Sequence, residues 1–234
     1  MNTRQLLKKI KLSDSDMAEI KAAVKKAEDK TTGEIALALT AESSSYSFWE
    51  LIASIYIAAV VFIIMLPLAP AINSFYERLR WAQPVWFLPA FYGIACLATI
   101  VISFCVMNVP IIDRFIIPRD IRRKEVTHRA FRYFTESGVY DTAEHSGILI
   151  FVSFMEKQVR IIADRGISQK ISQDLWNLIA DELAENLKKG DAETAFTNAI
   201  KKCGQLLAEN FPNHEENPNE LADGLVVLED TEWY

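Results

Sequence analysis

Cysteine and histidine are scarce in this 234-residue sequence, which contains three of each. Cys96 and Cys105 lie in an apolar block, Cys203 falls on a predicted amphipathic helix, and no CxxC or Cys/His cluster is present. The pattern supports neither a zinc site nor a disulfide framework, because both need cysteines at characteristic spacings. It is compatible with a reducing cytoplasm.

Signatures of the common enzyme classes are also missing. The sequence has no P-loop, GxGxxG, GxSxG or HExxH motif, and no cysteine is followed six residues later by the arginine of cysteine phosphatases. The first fourteen residues contain no continuous apolar run, so we expect no secretory signal peptide. No known local motif therefore supports a catalytic role.

Positive charge is unevenly distributed in a chain whose formal net charge is −6. Residues 165–234 hold 6 Lys/Arg against 14 Asp/Glu, and such an acidic segment repels phosphate backbones. We therefore expect no nucleic-acid partner. Residues 112–134 are basic and directly follow the second of two apolar blocks, a placement typical of a membrane surface.

Two long apolar blocks predict a transmembrane hairpin. Residues 48–71 contain one charged side chain, Glu50, and residues 85–109 contain none, while a short polar link over residues 72–84 joins them. A helix of about 22 residues spans about 33 Å, which is enough to cross a bilayer core of ~30 Å. The alternative, two buried core helices, would need a larger globule than this chain can form.

The arrangement of basic residues predicts the orientation of the hairpin. The link contributes only Arg78 and Arg80, whereas the segment after the second block is rich in basic residues (Arg114, Arg119, Arg122, Arg123, Lys124, Arg129 and Arg132). Because Lys and Arg accumulate on the cytoplasmic side, we expect a two-span protein of the inner membrane with both termini and the soluble domain in the cytoplasm.

The flanking segments predict a single interrupted α/β domain. An amphipathic helix over residues 14–30 and a strand over residues 34–40 precede the hairpin. After it, the pattern predicts five elements: a helix over residues 123–137, strands over 147–153 and 159–164, and helices beginning at Ser168 and after Asp191. Neither half alone can enclose a core. The expected organisation is residues 1–47 and 110–234 as one domain, with residues 48–109 as the membrane hairpin.

Acidic side chains near the strand ends predict a divalent-cation site. The strands over residues 147–153 and 159–164 should pair in an antiparallel hairpin, which brings Asp141 and Glu144 to the same sheet edge as Asp164. Carboxylate oxygens are suitable ligands for Ca²⁺ or Mg²⁺, and Gly166 would allow backbone carbonyls to approach the bound cation. The alternative is that Asp164 serves as a turn residue and the other two side chains are solvated. A second acidic loop, Asn219 to Asp223, is interpreted as a solvated turn.

The order of these segments resembles a known family. Lys30-Thr-Thr-Gly-Glu-Ile35, Gly147-Ile-Leu-Ile-Phe-Val-Ser153 and Val159-Arg-Ile-Ile-Ala-Asp-Arg-Gly-Ile167 resemble the TPM domain of thylakoid and bacterial membrane proteins. The resemblance implies a three-layer α/β/α sandwich with a short mixed sheet, here interrupted by the two-helix hairpin. It also implies cation binding in acidic loops, and phosphatase activity as known for a plant relative.

Two functional hypotheses follow. The favoured one is a membrane-anchored binding or regulatory module that aids assembly or quality control of membrane proteins, with the bilayer and an unidentified membrane protein as partners. The alternative is a divalent-metal-dependent phosphatase of the TPM type. Hydrolysis of a phosphomonoester would separate the two.

Overall fold

The computed structural model describes residues 2–79, 84–107, 117–142, 144–213, 220–221 and 223–229. The chain forms two compact units. Met1–Ser44 and Asp120–Tyr234 make up the first, and Ser45–Arg119 the second. The first unit therefore combines segments from both sides of the apolar blocks.

A four-stranded mixed sheet forms the centre of the first unit, in the order β3-β2-β1-β4. Its strands are β1 (Glu34–Thr40), β2 (Gly147–Ser153), β3 (Gln158–Ala163) and β4 (Leu225–Leu228). β1 runs parallel to both β2 and β4, whereas β2 and β3 form the antiparallel hairpin. All seven residues of β2 are buried, as expected for a strand covered on both faces.

Helices cover both faces of this sheet. One face packs against α1 (Thr3–Ile10), α2 (Asp14–Glu28), α8 (Gln173–Lys189) and α9 (Ala192–Asn210). The other face packs against α6 (Arg119–Glu136). The strands alternate accordingly: Ile148 and Ile150 face the first core, and Leu149 and Phe151 face the second. The expected α/β/α sandwich is therefore confirmed.

Local capping residues set several helix ends. Ser13 and Asp16 form a capping box at the start of α2, and the Asp191 side chain accepts the Thr194 N–H at the start of α9. Gly138 (φ 76°) and Gly190 (φ 86°) adopt the left-handed conformation after α6 and α8. The structure adds a short helix, α7 (Arg165–Ser168), where the sequence predicts a single helix from Ser168.

The second unit contains α3 (Ser47–Met65), a 3₁₀ turn (Leu66–Leu68), α4 (Ala69–Leu79) and α5 (Phe87–Met107). The predicted polar link therefore begins later than residue 72, because the helix continues to Leu79. The rest of the link up to residue 83 lies outside the described residues. Two candidate spans result, Ser47–Arg78 and Phe87–Met107, with 11% and 0% of their most apolar windows buried.

Two polar contacts show that α3 and α5 are antiparallel. The Ser54 hydroxyl lies 3.7 Å from the Met107 sulfur, and the Tyr92 hydroxyl donates to the Met65 carbonyl oxygen at 2.9 Å. The Ala69 N–H bonds to Leu66 in a 3₁₀ turn and so does not serve the Met65 carbonyl. The Tyr92 hydroxyl thus adds a side-chain hydrogen bond between α5 and the end of α3.

Candidate functional site

The candidate site lies at the sheet edge where β1 and β2 begin and β3 ends. Glu34 pairs with Gly147, and the Asp164 N–H donates to the Gly147 carbonyl at 2.9 Å. This register brings Asp164 next to the loop that enters β2, as the antiparallel hairpin predicts. We call this region the acidic edge, formed by Glu28, Glu34, Asp164, Glu220 and Asp223.

Asp164 is 8% exposed and caps α7. Its Oδ1 atom accepts the Arg165 N–H at 2.5 Å, and its Oδ2 atom lies 3.3 Å from Nδ1 of His145. His145 has a left-handed backbone (φ 50°), which is unusual for a residue other than glycine. Asp164 therefore has a structural role at the helix start, with one oxygen facing an imidazole.

The other two predicted ligands have different surroundings. Oε2 of exposed Glu144 accepts the Thr32 hydroxyl at 2.7 Å. Asp141 ends a 3₁₀ turn (Val139–Asp141), and its side chain is exposed. In the described part of the chain, no group of three His, Cys, Asp or Glu side chains is arranged to hold a metal ion.

Two glycines allow the loop before β2 to pack closely. A Cβ atom on Gly166 would lie 2.5 Å from the His145 carbonyl oxygen and 3.1 Å from that of Glu144. A Cβ on Gly147 would lie 2.1 Å from the Val139 carbonyl oxygen. These obstacles are backbone atoms and cannot rotate away. The carbonyls of residues 144 and 145 therefore lie close to Gly166.

Glu28 is a member of the acidic edge that sequence reasoning missed. It is the last residue of α2, and its Oε1 atom accepts a hydrogen bond from the Ile35 N–H at 2.8 Å. Burial raises the pKa of Glu28 from 4.5 to about 8, and the nearby charges of Glu34, Asp223 and Asp29 add to the rise, while the bond from Ile35 opposes it. A carboxyl with this pKa stays protonated near neutral pH.

Glu34, the first residue of β1, was also missed. It is 2% exposed, and its Oε2 atom has no hydrogen-bond partner among the described residues. Burial raises its pKa, as do Glu220 and Asp223, whereas the backbone N–H groups of Leu221 and Glu220 lower it. The available signal was a charged residue at the start of a buried strand in Thr-Gly-Glu-Ile.

The second acidic loop is more than a solvated turn. Asn219 lies outside the described residues, but Glu220 and Asp223 are close enough to Glu34 to raise its pKa, and Asp223 also acts on Glu28. Carboxyl groups from a helix end, a strand start and a distant loop therefore converge. Such a cluster is neutralised either by protons or by a bound cation.

Comparisons with known proteins agree with this architecture. A family model for the TPM domain matches residues 110–206. The chain is also similar in structure to the BA42 protein from the psychrophilic bacterium Bizionia argentinensis sp. nov., solved by NMR, with a TM-score of 0.54 and 18% sequence identity. That likeness covers 92% of this chain and 94% of the other, and it concerns the fold. No curated protein sequence matches this chain.

Proposed function

We propose that this chain, in which residues 110–206 match a family model for the TPM domain, is a membrane-anchored binding or regulatory module for membrane proteins. The observation that carries the proposal is the pair of exposed apolar helices inserted between the two segments of the α/β unit. A diffusing catalyst has no need of such helices, whereas a module that acts on membrane proteins gains effective concentration from them. We place the protein in the inner membrane with its α/β unit in the cytoplasm.

The arrangement of Asp164 and Glu144 supports binding over catalysis. Asp164 caps α7, and Glu144 accepts a hydrogen bond from the Thr32 hydroxyl, so both carboxylates already stabilise the local structure. Purification of the full chain from solubilised membranes should recover one membrane protein in a fixed ratio. The purified chain should recover this partner without hydrolysing a phosphomonoester.

The alternative, a divalent-metal-dependent phosphatase, draws support from the cluster of carboxyl groups at the acidic edge. Hydrolysis of a generic phosphomonoester by the purified chain, with and without Mg²⁺ or Ca²⁺, separates the two proposals. Turnover that requires the metal and is abolished by Asp164→Asn would refute the binding-module proposal.

We also propose that Ca²⁺ or Mg²⁺ binds either at the acidic edge or between Asp164 and the loop before β2. Two features support a cation at the acidic edge: Oε2 of Glu34 is buried without a hydrogen bond from the described residues, and the pKa values of Glu28 and Glu34 are raised, first by burial and then by neighbouring carboxylates. A bound cation would neutralise these carboxylates. Asp141, Asp164 and Glu144 are one proposed ligand set, and Glu34 with Glu220 and Asp223 is the other.

Calorimetric titration of the full chain with Ca²⁺ and Mg²⁺ distinguishes the two sets. Asp141→Asn with Asp164→Asn should abolish binding if the first set holds the ion, and Glu34→Gln should abolish it if the second does. Asp181→Asn, which removes an exposed charge on α8, is the matched control and should leave binding unchanged. Absence of heat at millimolar cation would refute both sets.

A further inference from the structure

An apolar cavity of about 220 Å³ lies at the opposite end of the sheet from the acidic edge. Its wall includes Leu39 near the end of β1, Val152 near the end of β2, and Phe196 on α9, all buried. The other walls come from the end of α1, the turn between β2 and β3, and the end of α8. We call it the lysine cavity.

The charged residues that line the lysine cavity all have the same sign. They are four exposed lysines: Lys9, Lys11, Lys157 and Lys188. Within the described parts of the chain, no Asp or Glu lines the cavity. A protein with a net charge of −6 thus gathers four ammonium groups around one apolar space. An apolar interior with a cationic lining is complementary to a ligand with an apolar body and an anionic head.

Helix capping explains only part of this arrangement. Lys9 lies in the last turn of α1, Lys11 is the C-cap of α1, and Lys188 lies in the last turn of α8, positions where the helix dipole favours cations. The two helix ends together contribute only about one unit of negative charge, against four lysines. Lys157 lies in the β2–β3 turn and caps no helix. Charge compensation at helix ends therefore does not account for all four.

The backbone of two of these lysines is strained. Lys11 (φ 60°) and Lys157 (φ 52°) are two of the three described non-glycine residues with positive φ. Glycine adopts this conformation without steric cost, so a lysine here carries a strain that glycine would remove. Strained residues concentrate at functional sites. Lysine offers an ammonium group at these two positions, which glycine would not.

We propose that the lysine cavity binds a single-chain anionic amphiphile, a fatty-acid carboxylate drawn from the membrane. The volume is below the roughly 300–1,000 Å³ of pockets for drug-sized ligands, which favours one acyl chain over a two-chain lipid. Leu39 lies eight residues before Ser47, where the first candidate span begins, so the chain tethers this cavity to a source of acyl chains.

Photolabelling tests whether the lysine cavity binds a fatty-acid carboxylate. The full chain in phosphatidylcholine nanodiscs is irradiated with a diazirine fatty acid, and labelled peptides are mapped. We expect label in residues 152–159 or 184–190, in addition to any label in the candidate spans. Dodecanoate should displace it, dodecanol should compete about tenfold more weakly, and dodecyltrimethylammonium should not compete. Lengthening a short carboxylate by one methylene should tighten binding about threefold to fourfold until the cavity is full.

Three double variants test the role of the ammonium groups of Lys11 and Lys157, the two cavity lysines with a left-handed backbone. Lys11→Gly with Lys157→Gly removes two ammonium groups and relieves both left-handed positions, so the thermal midpoint should not fall while dodecanoate binding weakens about tenfold. Lys11→Arg with Lys157→Arg keeps the charge and should retain binding. Lys25→Gln with Lys201→Gln removes the same charge elsewhere, from exposed positions on α2 and α9, and should have no effect.

Three results would overturn the proposal. One is label in these peptides that dodecanoate does not displace, and another is equal competition by dodecanol. The third is unchanged binding in Lys11→Gly with Lys157→Gly. Competition by millimolar inorganic phosphate as strong as that by dodecanoate would assign a simple anion site and would also overturn it.

Discussion

Substitution of Gly204 by alanine tests whether the segments before and after the apolar blocks form one core. Gly204 lies on α9, where a Cβ atom would be 2.6 Å from the Ala27 Cβ and 3.3 Å from the Ala27 Cα on α2. Ordinary carbon contacts are about 3.5–4.0 Å, so the two helices would have to separate by about 1 Å. The obstacle includes backbone, which cannot rotate away.

The net effect combines two opposing contributions. Alanine favours a helix interior over glycine by about 1 kcal/mol. Overpacking a tight contact costs about 1–3 kcal/mol, and this contact belongs at the upper end because Ala27 cannot move without α2. We expect Gly204→Ala to lower the free energy of unfolding by about 1–2 kcal/mol, which corresponds to a midpoint lower by about 2–8 °C.

Cys203 provides the assay. It is fully buried, and burial raises the pKa of its thiol to about 12, so a thiol-reactive dye should label it only on unfolding. In a background with Cys96→Ala and Cys105→Ala, thermal labelling of the detergent-solubilised chain reports the midpoint. Gly93→Ala is the matched control, because a Cβ there meets nothing within 4 Å, and it should not lower the midpoint.

A double-mutant cycle makes this test specific. Ala27→Gly removes the nearest obstructing atom, so Gly204→Ala should cost less in that background than alone. Ala27 precedes the first candidate span and Gly204 follows the second, so coupling between them requires one core across the interruption. A Gly204→Ala midpoint equal to or above that of the parent, or additive effects in the cycle, would refute the close approach of α2 and α9.

Three further outcomes are expected. The folded-state pKa of Glu28 is raised from 4.5 to about 8, so between these pH values the folded state binds a proton that the unfolded state does not. The free energy of unfolding should therefore fall as pH rises from 4.5 to 8, by less than about 1.4 kcal/mol per pH unit. Chemical denaturation over this pH range in EDTA measures the dependence, and Glu28→Gln should flatten it. Tyr92→Phe should destabilise the hairpin by about 0.6 kcal/mol in thermal melts, because the hydrogen bond from the Tyr92 hydroxyl to the Met65 carbonyl oxygen is lost. Reporter fusions at Tyr234 and Ser74 should report opposite sides of the membrane, and a periplasm-active fusion at Tyr234 would contradict the proposed orientation.

The sequence by itself determined the local elements of this protein. Continuous apolar runs predict β2 over Gly147–Ser153 and the two candidate spans, and the helix ends at Gly138 and Gly190 follow from their left-handed conformation. These features depend on side-chain periodicity and on glycine geometry within a few residues, which the order of amino acids shows directly. The antiparallel hairpin also correctly predicts that Asp164 lies beside the loop before β2.

Only the tertiary structure decided which distant segments meet. The run Leu225–Leu228 is too short to be recognised as a strand, and it becomes β4 because it pairs with β1 from the start of the chain. That pairing brings Glu220 and Asp223 near Glu34 and Glu28, and the opposite end of the sheet gathers four lysines from three separate segments. Neither cluster has a local signature, because burial and charge proximity depend on contacts between residues far apart in sequence.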